Sequence, residues 1–214
     1  LLRVGAGAYG EVWLARNRVG LYRAVKIVRR QTFDSDAPYE REFRGIEKFM
    51  PISLNHPGLL RVLHVGRDDT ERYFFYVMEA ADDEVTGPAI DPARYVPRTL
   101  HQELARRTRL LLGECVEVGL ALSSGLDYLH GQHLIHRDLK PSNIIFVGGA
   151  PKIADIGLVT DLDGLRTTVT SLGTPGYMAP EGPGAAPADI FSLGKVLYQA
   201  VTGLASNRFP ELPP

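Results

Sequence analysis

The sequence predicts an α+β fold in two lobes: a small antiparallel sheet with one helix, followed by a mainly helical lobe. Three observations carry this expectation. Residues 1–79 contain short alternating or β-branched stretches separated by turn residues, with one helical segment among them. Residues 80–97 shift to Asp, Pro, Gly and Ala, the composition of a connector longer than a minimal hinge. From residue 114, apolar residues recur every three or four positions, the period of a helix that buries one face. The expected lobes are residues 1–79 and 80–214, with the hinge near Glu79 to Ala81.

Glu11-Val12-Trp13-Leu14-Ala15 alternates as a strand, Asn17 to Gly20 supplies turn residues, and Arg23 to Val28 is a β-branched strand. Pro38 opens a helix that runs to Met50, with Phe43, Ile46 and Met50 on one face. Pro51 follows, and it either shortens this helix or shifts its register. Leu59 to Val65 and Arg72 to Met78 read as strands joined by a polar turn over Gly66–Glu71. In the second lobe, Cys115, Val118, Leu122, Leu126 and Leu129 define the buried face of a helix from Glu114 to His130. Short strands are expected at Ile144–Val147 and Lys152–Ala154.

Composition bounds the function. A chain of 214 residues can bury a sizeable core, and 44% hydrophobic with 23% charged residues is ordinary for a globular protein. A net charge of −1 gives no basic field, so nucleic acid is not an expected partner. The single cysteine, Cys115, forms no intramolecular disulfide and fits a reducing, cytoplasmic compartment. No apolar run reaches the roughly 18 to 20 residues that span a bilayer, so no membrane segment is expected within this chain. The chain opens on Leu inside its expected first strand and stops soon after Asp189. Truncation at both ends is therefore expected, which leaves room for an anchor in a longer parent protein. Oligomeric state is not legible.

The chemistry concentrates in His136-Arg137-Asp138-Leu139-Lys140-Pro141-Ser142-Asn143, followed twelve residues later by Asp155-Ile156-Gly157. This spacing sets two carboxylates and an amide as in-line phosphoryl transfer from a metal-bound nucleotide requires. Asp138 can orient a hydroxyl and accept its proton, while Asn143 and Asp155 offer oxygen ligands to Mg²⁺. Lys140 can neutralise charge on the transferred group. Gly5-Ala6-Gly7-Ala8-Tyr9-Gly10 runs into an alternating strand and not a helix, so it reads as a hairpin over phosphates, with Tyr9 at its tip. Lys26, between Val25 and Ile27, faces the cleft. His64, His101, His130 and His133 lack metal-ligand spacing.

These segments together resemble the protein kinase family, in order: the glycine-rich loop, Ala24-Val25-Lys26, the Asp138 loop, Asp155-Ile156-Gly157, and Ala179-Pro180-Glu181. The resemblance runs from Val4 to about Gly203 and looks like bacterial, eukaryotic-like serine/threonine kinases. It implies a kinase-like two-lobe fold lacking its C-terminal helices, ATP and Mg²⁺ as cofactors, and a protein substrate bearing Ser or Thr. It implies that Lys26 binds the α- and β-phosphates and pairs with a helix glutamate. Glu47, nine residues before His56, is the expected partner, with Glu40 and Glu42 as alternatives.

The resemblance also assigns Gly5, Gly7 and Gly10 to the phosphates, and Val4, Val12, Ala24 and Ile145 to the faces of the base. It makes Met78 the residue at the back of the pocket, with backbone groups of Glu79 and Ala81 bonding the base. Thr174 resembles the residue that bonds base and lysine in serine/threonine enzymes. Arg137 reads as the receptor for a phosphate on Thr167, Thr168, Thr170 or Ser171. Isoleucine in place of the usual phenylalanine at Ile156 implies altered switching and retained chemistry. A nucleotide-binding pseudokinase scaffold is the alternative, disfavoured because Lys26, Asp138, Asn143 and Asp155 are all present. A small-molecule substrate is disfavoured by Ala179-Pro180-Glu181.

Overall fold

The computed structural model describes residues 2–7, 10–155, 160–161 and 173–213. Five antiparallel strands come first: β1 (Leu2–Gly7), β2 (Gly10–Arg16), β3 (Tyr22–Arg29), β4 (Val62–Asp68) and β5 (Tyr73–Glu79). They form one sheet in the order β1-β2-β3-β5-β4. The alternation of β3 places Ala24, Lys26 and Val28 on its buried side, so Lys26 enters the protein between two apolar neighbours. Across the ladder Lys26 sits opposite Val12 on one side and Tyr76 on the other. Gly10 must be glycine for a steric reason: a Cβ there would lie 2.5 Å from the carbonyl oxygen of Ile27.

Helix α1 (Asp36–Ser53) lies on this sheet, with Tyr39 and Phe43 each 5.3 Å from the Phe74 ring. It is longer than expected at both ends. Pro51 lies inside it, where the ring removes only the bond to the carbonyl four residues earlier. The fully buried stripe is Tyr39, Glu42, Ile46 and Phe49, and the expected face residues Phe43 and Met50 flank it half-buried.

Beyond β5 the chain follows an irregular path to α2 (Leu100–Arg107), a helix absent from the sequence reading. Thr99 caps it by accepting from the Gln102 N–H. Then come α3 (Leu112–Gly131), the short β6 (Leu134–Ile135), the hairpin β7 (Ile144–Val147) and β8 (Ala150–Ile153), β9 (Thr160–Asp161), and α4 (Ala186–Thr202). The β7–β8 turn uses Gly148 and Gly149 at φ 58° and 79°, the left-handed pair that a two-residue hairpin favours. Asp82 caps both of their N–H groups at 2.8 and 2.7 Å. The five residues expected inside α3 are all buried. Among the described residues no helix is long and apolar enough to cross a membrane.

One hydrophobic core runs through both halves, from Val28, Phe49 and Phe74 to Leu122, Leu126 and Val196. The halves meet where Gly58 presses on α3 and β8. The Ile153 N–H donates to Gly58 (2.9 Å) and the Leu60 N–H to Ile153 (2.9 Å), while a Cβ on Gly58 would lie 2.8 Å from the Ala121 carbonyl. Gly58→Ala should therefore force the loop off α3 and destabilise the protein by about 1–3 kcal/mol through overpacking. Urea unfolding of the two proteins measures this, and Gly66→Ala is a useful contrast because its nearest neighbour is the movable ring of Phe75.

Candidate active site

A cleft of about 230 Å³ lies between the sheet and the helical half. Val4, Gly5, Val12 and Ala24 line it from the sheet, Met78, Glu79 and Ala81 from the edge, and Ile145 from below. Lys26, Asn143 and Asp155 form its polar end. A Cβ on Gly5 would meet nothing within 4 Å, so the loop leaves open space over the cleft. Gly7 and Gly10 pair at the tip of the β1–β2 hairpin, whose Ala8 and Tyr9 lie outside the described residues.

The loop carrying Asp138 is held from beneath by Asp189, a carboxylate 1% exposed in the first turn of α4. Its oxygens accept from the backbone N–H groups of His136 and Arg137, both at 2.8 Å, and from His130 Nε2 at 2.8 Å. Burial raises its pKa, but these donors outweigh that penalty and hold it below the usual carboxylate range. Arg137 sits at φ 71°, a strained left-handed conformation that the two bonds to Asp189 help to impose. His136 is fully buried and its Nε2 bonds the Ala154 carbonyl at 2.9 Å, tying the Asp138 loop to the residue before Asp155.

Both oxygens of Asp138 are engaged. Lys140 Nζ donates to Oδ2 at 2.6 Å, the Thr174 hydroxyl donates to Oδ1 at 2.6 Å, and Lys140 also donates to that hydroxyl at 2.7 Å. Asn143 Nδ2 donates to the Asp138 carbonyl at 2.8 Å, which leaves its own amide oxygen as the acceptor. Asp155, at φ 59°, turns its half-exposed carboxylate toward the cleft and accepts from Lys26 Nζ at 2.9 Å. Asn143 and Asp155 thus present oxygens on one wall, a hard-donor set that fits Mg²⁺.

Lys26 does not pair with Glu47. Glu47 is exposed, and the acidic residue in the buried stripe of α1 is Glu42. At about 100° per residue the two glutamates lie roughly 140° apart around the helix. Spacing back from His56 picked an exposed glutamate because α1 runs on through Pro51 to Ser53. The stripe itself held the signal, since Glu42 is three after Tyr39 and four before Ile46.

In this state Glu42 is not bonded to Lys26 either, and its buried Oε1 has no hydrogen-bond partner among the described residues. Burial raises its pKa to about 7, against the pull of Lys26. Burial also works against the charge of Lys26, but Tyr76, Asp155 and Glu42 outweigh it and keep its pKa well above the usual lysine value. Lys26 in turn holds Asp155 below the carboxylate range.

Arg137 is buried, with Nε and Nη2 unpartnered among the described residues, and burial lowers its pKa. Ile156, Gly157, Thr167, Thr168, Thr170 and Ser171 lie outside the described residues. The sequence reading missed Leu60, Tyr76, Tyr95, Pro97, Thr99 and Ser142 on the cleft wall. Tyr76 was accessible by strand alternation as the cross-strand neighbour of Lys26. Tyr95, Pro97 and Thr99 come from the irregular connector, where no period exists to place them.

A cleft with these groups is one in which a nucleotide and a hydroxyl can meet, and comparison with known proteins gives its class. The family model described as protein kinase domain matches residues 1–208, and the chain belongs to the protein kinase family. It is 34% identical over 211 residues to the serine/threonine-protein kinase PknA of Mycobacterium tuberculosis, covering 94% of this chain and 45% of that protein. It is 31% identical over 213 residues to the serine/threonine-protein kinase AfsK of Streptomyces griseus, covering 95% of this chain and 24% of that protein. The probable serine/threonine-protein kinase PBL20 of Arabidopsis thaliana is 30% identical over 221 residues, covering 94% of this chain and 52% of that protein. The chain thus spans between about a quarter and a half of these relatives.

The buried Glu42 carries a pH signature. A carboxyl whose folded pKa is raised favours folding when protonated, so its contribution is full below the ordinary value of 4.5 and is lost as pH rises through about 7. The amplitude is roughly 3 kcal/mol. Glu42→Gln should remove that slope and make the nucleotide-free protein more stable than wild type at pH 8, as read from denaturant unfolding at pH 5 and 8.

Proposed function

We propose that this chain is the catalytic domain of a serine/threonine protein kinase that transfers the γ-phosphoryl group of ATP to a protein hydroxyl. Residues 1–79 would form the lobe that covers the nucleotide and residues 80–214 the lobe that carries the base. The observation that carries this reading is the triangle of Asp138, Lys140 and Thr174, joined through the Asn143–Asp138 bond to the cleft that Lys26, Asn143 and Asp155 border. Asp138 accepts from Lys140, from Thr174 and, at 3.3 Å, from Asn143, and with the lone pair left over would accept the proton of the incoming hydroxyl. Lys140 is placed to meet negative charge on the transferred group.

Lys26 would hold the α- and β-phosphates, exchanging its bond to Asp155 for one to Glu42, and the carboxylate so freed would join Asn143 in holding Mg²⁺. Bound there, the cation would neutralise phosphate charge. Among the described residues no three His, Cys, Asp or Glu side chains gather into a metal cage, so two protein ligands plus phosphates is the arrangement that suits Mg²⁺. Val4, Val12, Ala24 and Ile145 would sandwich the base, with Met78 at the back of the pocket and Glu79 and Ala81 as its backbone partners. All four polar groups needed for transfer are present, which favours an enzyme over a nucleotide-binding scaffold.

Regulation follows from Arg137. A buried guanidinium with two nitrogen atoms unpartnered among the described residues, one residue before the proposed base, is suited to a phosphate, which brings about −1.5 to −2 charges and three acceptor oxygens. Phosphorylation between Thr167 and Ser171 would supply it. Replacing Thr167, Thr168, Thr170 and Ser171 by alanine in the full-length protein should lower transfer activity. Full activity with no phosphate on the wild-type segment would overturn this assignment.

Asp138→Asn tests the catalytic reading. In a labelled-ATP transfer assay on the full-length protein, turnover should fall by about 10²–10⁴-fold, while nucleotide affinity stays within a few-fold of wild type. Unchanged turnover would remove Asp138 as the base.

A further inference from the structure

We propose that Tyr95 determines which bases the cleft accepts, by occupying one of the two lone pairs of the Ala81 carbonyl so that this residue offers a ligand a free donor and only a partly filled, weakened acceptor. The proposal rests on the nucleotide reading above and extends it to a residue outside the kinase motifs. Tyr95 is 7% exposed, lines the cleft together with Ala81, and donates its hydroxyl to the Ala81 carbonyl at 3.0 Å. The Ala81 N–H has no backbone partner among the described residues. A planar ligand that accepts from this N–H brings its adjacent ring position up to the carbonyl of the same residue. There it meets a hydroxyl already in place.

The tyrosine is held firmly. Asp83 accepts from the N–H groups of Val85 and Thr86 (both 2.9 Å) and of Val96 (3.0 Å), and Asp83 and Gly87 exchange backbone bonds at 2.7 and 2.9 Å. Glu84 N–H bonds the Val96 carbonyl at 2.9 Å, so the residue after Tyr95 is pinned on both sides. Asp82 N–H bonds Phe146, and Arg98 N–H bonds Asp82, both at 2.7 Å, which fixes the connector to β7. Burial, reinforced by the charges of Asp83 and Asp82, holds the Tyr95 pKa above the ordinary tyrosine value. The hydroxyl therefore remains a donor at any pH the protein experiences.

This arrangement suits a purine with only hydrogen at the ring position beside the accepting nitrogen. An amino group at that position would have to share the carbonyl that Tyr95 already bonds. ATP and 2-aminoadenosine 5′-triphosphate differ by that group, and their dissociation constants can be compared by displacing a fluorescent nucleotide from the full-length protein. Wild type should bind the 2-amino analogue no more tightly than ATP. Tyr95→Phe keeps the ring and frees the carbonyl, and should shift the affinity ratio toward the 2-amino analogue by roughly two- to tenfold, the worth of one added hydrogen bond. A purely structural tyrosine would weaken both nucleotides alike, and an unchanged ratio in a cooperatively folded Tyr95→Phe protein overturns the proposal. If that variant does not fold, the wild-type ratio decides: a preference of threefold or more for the 2-amino analogue overturns the proposal, and its absence supports it. A wild-type protein that binds neither nucleotide overturns instead the reading of the cleft on which the proposal rests.

Discussion

The geometry of the site depends on one buried anion. Asp189 takes the backbone N–H groups of His136 and Arg137 and the His130 ring, and so forces the chain to turn into the left-handed conformation at Arg137 from which Asp138 projects. A backbone N–H left unsatisfied in this interior costs on the order of 1–3 kcal/mol, and a buried carboxylate without donors costs more. Each side therefore requires the other, although more than fifty residues separate them. Because Asp189 belongs to the first turn of a helix packed on α3, the loop inherits the rigidity of the helical core. Positioning of this kind is what phosphoryl transfer demands most of a protein.

At the other wall the electrostatics are poised between two partners. Lys26 is a buried ammonium facing two carboxylates, and in this state Asp155 has it while the buried Oε1 of Glu42 has no hydrogen-bond partner among the described residues. The cost of burying Glu42 is met by its tendency to hold a proton, and the Lys26 charge is retained because acidic neighbours outweigh desolvation. An anionic ligand drawing Lys26 away from Asp155 would change the surroundings of both carboxylates at once. Since Glu42 sits on α1 and Asp155 next to the Asp138 loop, that exchange would couple the sheet's helix to the catalytic wall.

The connector between the halves is a built structure, not a slack link. Asp82 caps the Gly148–Gly149 turn, Asp83 organises its own loop, and Arg98 bonds Glu103 at 2.8 Å while lying over the Phe146 ring. Lys152 reaches Glu79 at 2.6 Å and joins β8 to the end of β5. These charged groups are largely buried yet each has its partner, the condition under which buried polar networks add rigidity. The cleft edge that includes Ala81 is thus fixed before any ligand arrives.

The Asp138 loop, the strands around Lys26 and the apolar face of α3 were legible from sequence because each is local. Eight consecutive residues set the spacing of Asp138, Lys140 and Asn143, and period-2 or period-3.6 alternation tells buried from exposed within a single element. The burial of Glu42 and the exposure of Glu47 were half legible. The position of Glu42 in the stripe with Tyr39, Ile46 and Phe49 follows from helix geometry, but the length of α1 depends on packing that carries it through Pro51. The partnership of Asp189 with the backbone, the bond of Lys26 to Asp155 in place of a helix glutamate, and the hydroxyl of Tyr95 on Ala81 were decided only by tertiary structure. These contacts join residues 14 to 129 positions apart, and no local period encodes which distant group meets a buried donor first.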